Sequence, residues 1–112
     1  MKMMNNFNKE YVAIRRKAHK AHDEVKKTLQ KFAKRSKYIE YDRGRTYWGW
    51  CSIRVTVLKD CKVAKEMLDY IKSICPYTDN GTTFRSYEGD LGCGDDIFSD
   101  WEVSFEISVS YK

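Results

Sequence analysis

The densest group of side chains with a chemistry of its own lies between residues 15 and 35, where Arg15, Arg16, Lys17, Lys20, Lys26, Lys27, Lys31, Lys34 and Arg35 place nine cations in one stretch. Cations at this density attract phosphates. Each phosphate neutralised releases condensed counterions, so the resulting binding weakens steeply with salt and is mostly indifferent to base sequence. Arg15, Arg16, Lys20, Lys27 and Lys31 are the candidates for such contacts. Two other readings fit the same residues: a solvated face offset by the acidic remainder of the chain, or a surface that docks on an acidic protein.

Trp48, Trp50 and Arg54 form a second group. On a strand, side chains alternate between faces. If Ile53, Val55 and Val57 point into a core together with Tyr47, then Trp48, Trp50, Ser52, Arg54 and Thr56 take the opposite face. Two indole rings at i and i+2 on an open sheet resemble the stacking platform of RNA-recognition motifs, on which bases lie flat. The stretch RGRTYWGWCSI lacks the consensus of that family, and the resemblance goes no further. Gly49 permits a bulge that would turn one ring inward. Packing under a loop or against a partner protein is the other place for either tryptophan.

Glu88, Asp90, Asp95, Asp96, Asp100, Glu102 and Glu106 lie in a stretch with no basic residue between Arg85 and Lys112. Clustered carboxylates can hold Mg²⁺ or Ca²⁺, but this spacing fits no EF-hand loop and no lysine stands among them to activate water. A glycine-rich acidic loop that docks on a basic partner, or on the chain's own helix, is the commoner arrangement. His19, His22 and Asp23 share a helical spacing of i, i+3 and i+4, yet are expected on an open helix surface among lysines. Positive charge there opposes both a bound cation and a protonated imidazole. Cys51, Cys61, Cys75 and Cys93 include no CxxC pair, so a zinc knuckle and a redox dithiol are both absent, and neither Cys51 nor Cys75 has an evident basic partner nearby in sequence. There is no glycine-rich phosphate loop and no GxSxG elbow. The expectation is no catalytic residue, no metal and no cofactor.

The elements that would position these groups follow from periodicity. Phe7, Tyr11, Ile14, Ala18, Ala21, Val25, Leu29 and Phe32 recur in steps of three and four, the stripe of one long helix over residues 6–35, with Asn5 or Asn6 as its cap and residues 1–5 as a flexible arm. Ala18 and Ala21 put small side chains where a crossing element can approach. The stripe also has the spacing of a short coiled coil, which leaves room for self-association. Residues 37–42 and 46–58 are rich in β-branched and aromatic side chains and read as a hairpin joined at Arg43, Gly44 and Arg45. Asp60 should cap a second helix carrying Val63, Ala64, Met67, Leu68, Ile71, Ile74 and Cys75 on one face, and Pro76 should end it. TDNG at 78–81 signals a turn, residues 82–88 a strand and residues 89–99 a loop.

The last segment alternates without error, with Trp101, Val103, Phe105, Ile107, Val109 and Tyr111 on one face and Glu102, Ser104, Glu106, Ser108, Ser110 and Lys112 on the other. The order αββαββ predicts an α+β two-layer sandwich: a four-stranded antiparallel sheet with a long N-terminal helix and a shorter second helix on one face. A circularly permuted ferredoxin-like unit has the same order, an analogy of shape that carries no function.

Composition bounds the function. A chain of 112 residues hides roughly two-thirds of its unfolded surface, enough for a single α+β domain spanning 1–112. Unpaired cysteines and the lack of any apolar run of about 20 residues point to a cytoplasmic protein with no membrane partner. The net charge of +5 conceals a division: through Lys37 there are 12 Lys/Arg against 3 Asp/Glu, and beyond it 9 against 13. The leading expectation is a non-enzymatic binding protein, monomer or homodimer, that engages nucleic acid, a nucleoprotein or an acidic protein surface. Small size, absence of catalytic motifs and an Asn/Lys/Tyr-rich composition suit an accessory protein of a phage or mobile element, such as an inhibitor of a host defence complex. The alternatives are a small metal-dependent nuclease built on Asp90, Asp95 and Asp96, and a homodimeric structural protein joined through the first helix or an edge strand.

Overall fold

The computed structural model describes residues 2–47, 49–86 and 103–112, with side chains described from Val12 onward except at residue 14. Neither proline nor glycine interrupts the first 35 residues, and helix α1 runs the whole of Lys2–Arg35. The start expected at Asn5 or Asn6 therefore lies inside the helix. At about 1.5 Å per residue α1 is about 51 Å long, most of the molecule's 57 Å longest dimension. Lys34 and Arg35 occupy its last turn, where cations complement the helix dipole. Ala18, Val25 and Leu29 bury its apolar face and Phe32 packs partly against the core, as the spacing requires. His22 fills the fourth buried position, and Ala21 is only half-buried.

Strands β1 (Ile39–Tyr47) and β2 (Trp50–Val57) form the expected antiparallel hairpin, but the strands are joined between Tyr47 and Trp50, not at Arg43, Gly44 and Arg45. The register shifts between Tyr41 and Arg43, a bulge that lets the strand continue through Gly44. Glycine serves there for close approach: a Cβ on Gly44 would collide with the Tyr41 hydroxyl. The bulged Asp42 accepts a hydrogen bond from the Thr56 hydroxyl across the strands.

Helix α2 (Lys62–Ile74) buries Ala64, Met67 and Ile71, and its N-cap is Cys61, one residue after the expected Asp60, with no side-chain capping bond. Past Pro76 come two three-residue strands, β3 (Tyr77–Asp79) and β4 (Thr83–Arg85). Their turn has Asn80 at φ 55° and Gly81 at φ 73°, and the Thr82 amide donates to the Asp79 carbonyl at 3.1 Å. Both dihedrals are the positive values that tight hairpins need and that Asn-Gly supplies at least cost. The single strand expected over 82–88 is thus the second half of a short hairpin. Strand β5 (Ser104–Tyr111) closes the chain.

The sheet has the order β1-β2-β5-β4-β3, with β5 parallel to β2 and antiparallel to β4. It is a five-stranded mixed sheet, which corrects the expected four-stranded antiparallel one. Two physical reasons account for the difference. A three-residue strand between a proline and a turn leaves no periodic signal, and a parallel pair needs only a long crossover, which α2 and the β3–β4 hairpin provide. The α+β class holds, and β5 is central. Cys51, Ile53 and Val55 of β2 stand opposite Phe105, Ile107 and Val109 of β5 in one core shared with Val25, Leu29, Met67 and Ile71 of the two helices. Both helices therefore cover the same face of the sheet.

Candidate nucleic-acid interface

Around α1 each residue advances about 100°, so Arg16, Lys20, Lys27, Lys31 and Lys34 fall within an arc of about 60° directly opposite the buried Ala18, Val25 and Leu29. All five are exposed. None of them forms an ion pair among the described residues, whereas Arg35 is held by Glu66 at 2.7 Å. Asp23 and Glu24 share the outward side and are the row's nearest carboxylates on the helix. Lys26 lies on the flank toward the sheet and donates to the Thr46 hydroxyl of β1. On the same flank Arg15 borders a small cleft with His19, Thr46 and Tyr47.

The sheet face turned away from the helices carries the second group. Cross-strand partners share a face, so the register puts Arg43 beside Arg54, Arg45 beside Ser52 and Tyr47 beside Trp50. Tyr47 and Trp50 stack with ring centroids 5.3 Å apart and planes inclined by 25°. Tyr47, expected inward by counting back from Ile53, is 44% exposed, because it belongs to β1 and pairs with Trp50 across the hairpin. Trp48 lies outside the described residues. Arg43 and Arg45 were hidden in sequence by their assignment to a turn. The signal that finds them is the two-residue connection between Tyr47 and Trp50, which makes residues 43–47 a strand.

The candidate residues are therefore divided. Arg16, Lys20, Lys27 and Lys31 project from the helical layer on one side of the domain, Trp50 and Arg54 lie on the opposite sheet face, and Arg15 sits at the border. A single rigid ligand cannot span both faces without wrapping the domain's edge.

Of the remaining groups, His22 overturns the expectation of an open helix surface. It is 0% exposed, with its ring edge-on to Phe105 at 5.3 Å. Among the described residues neither ring nitrogen has a hydrogen-bond partner, although the Ser104 backbone is close enough to favour the protonated ring weakly. Burial, reinforced by His19 and Lys26, pushes its pKa down from 6.5 to about 4. Burial likewise raises the thiol of Cys51 to about 11 and that of Cys75 to about 12, so both are protonated at neutral pH. Cys61, at the head of α2, is lowered chiefly by its contact with the Ser36 hydroxyl. Among the described residues no three His, Cys, Asp or Glu side chains converge as metal ligands. Asp90, Asp95, Asp96 and the rest of that acidic loop lie outside the described residues. No described helix is long and apolar enough to cross a membrane. No protein-family model, curated protein or solved structure matches the chain.

Proposed function

We propose that this chain is a non-enzymatic nucleic-acid-binding protein that engages the phosphate backbone through the outward row of α1. The observation that carries this reading is the arc of Arg16, Lys20, Lys27, Lys31 and Lys34, exposed together and without an ion pair among the described residues. A fold-stabilising role for them is weak, since exposed charges gain little from remote partners. From Arg16 to Lys34 the row extends about 27 Å along the helix axis, a length over which one strand of a duplex presents about eight phosphates. Rigid spacing on a helix lets several cations meet the backbone together, and such contacts position the protein without reading sequence. The protein acts by occupying its site, the mode of an accessory or inhibitory factor.

Charge reversal tests this. The variant Arg16→Glu/Lys20→Glu/Lys27→Glu should lose at least tenfold in affinity for a fluorescein-labelled 20-base-pair duplex at low salt, measured by anisotropy. Unchanged affinity would overturn the reading and leave the row to an acidic protein partner.

A further inference from the structure

We infer that the outer face of the β1–β2 hairpin is a second binding site, for single-stranded nucleic acid. An unpaired base stacks on the Tyr47–Trp50 pair, and the phosphates beside it rest on Arg43, Arg45 and Arg54. The inference rests on the nucleic-acid reading of this chain but uses residues on the other side of the domain from the α1 row.

Charge makes the first part of the case. Arg43 and Arg54 are direct cross-strand partners and both are exposed. Like charges placed opposite one another on a sheet are unfavourable, so this pair does not serve the fold. Neither their side chains nor that of Arg45 makes an ion pair or a side-chain hydrogen bond among the described residues. The other end of the same face differs. There Arg85 is neutralised within the fold, by Asp79 at 2.7 Å and Glu106 at 3.7 Å. The hairpin arginines are left for an anion from outside.

Shape makes the second part. Arginines two residues apart on a strand stand about 7 Å apart, and Arg45 is equally far from Tyr47. A mononucleotide would use one end of such a ladder, whereas an extended strand presents successive phosphates on this scale and a base at the aromatic end. The two stacked rings supply a planar apolar surface, with Tyr47 open to solvent on a strand at the edge of the sheet. Bases offer their faces to such rings only when unpaired, and guanidinium groups add cation–π and bidentate phosphate contacts. A duplex hides those faces and is held by the α1 row instead.

The test compares a labelled dodecathymidylate single strand with the labelled 20-base-pair duplex, using the full chain. Tyr47→Ala and, separately, Arg43→Gln/Arg54→Gln should each weaken single-strand binding at least tenfold and leave duplex affinity within twofold. The α1 triple reversal should do the opposite. All three hairpin side chains are exposed, and unchanged circular dichroism and melting midpoints would show that the variants fold. If both hairpin variants bind the single strand as the parent does, or lose both ligands equally, the site is not there, and the α1 reading stands on its own result. If the parent binds the single strand alone, the α1 reading falls and this one survives. If it binds neither, both fall.

Discussion

His22 occupies the position on α1 that an aliphatic side chain would ordinarily take, and its chemistry makes that position sensitive to acid. At pH above its ordinary value of 6.5 both folded and unfolded rings are neutral, and the residue carries no pH-dependent cost. As pH falls below 6.5 the unfolded ring protonates while the folded one, held near 4, does not, so stability is lost through that window and the loss levels off below about 4. At pH 5 the loss is about 2 kcal/mol. Replacing His22 with Leu should abolish that component: between pH 7.5 and 5.0 the urea-unfolding free energy of His22→Leu should fall by about 2 kcal/mol less than that of the parent. Equal falls would show that the ring is not held neutral. The steps 18, 22, 25 and 29 are regular helical spacing, so the position was legible in the sequence. The residue type concealed it, because a histidine among lysines reads as surface. Arg43 and Arg45 were concealed in another way, by a glycine between them that serves close packing and not a turn.

At the scale of elements, the alternation of Ile107 and Val109 with serines and Glu106 specified β5, and its place at the centre of the sheet follows from having core on one face and neighbours on both edges. Its direction was not legible, since side-chain alternation is the same in a parallel and an antiparallel pair. The helices were legible because stripe and breakers agree: Pro76 follows α2 at once, and nothing breaks α1. The β1–β2 hairpin was legible as a hairpin but not in its turn, because glycine stands at both 44 and 49. Gly44 now carries a definite expectation. Gly44→Ala should destabilise the protein by about 1–3 kcal/mol in thermal or urea unfolding through its clash with the Tyr41 ring. Tyr41→Phe, which removes the hydroxyl that the new Cβ meets first, should recover part of that loss in the double variant. If Gly44→Ala costs nothing, the bulge does not bring Tyr41 against residue 44, and the register that aligns Arg43 with Arg54 loses its support.

Over the whole molecule, charge is divided along the chain and then again by the fold. The basic N-terminal segment becomes the outward face of the helical layer, while the later segment contributes a sheet whose outer face carries Arg43, Arg45 and Arg54 with Glu40 and Asp42 at the hairpin and is internally neutralised at β4. The central claim is that α1 binds phosphate, and the salt dependence of duplex affinity tests it most directly. With the five cations of the row each meeting one phosphate, log K should fall linearly with log[NaCl] with a slope of about −4 to −5. Each single Arg or Lys→Gln change in the row should make the slope shallower by about 1. A slope between 0 and −1, or one that none of these substitutions alters, would contradict the account.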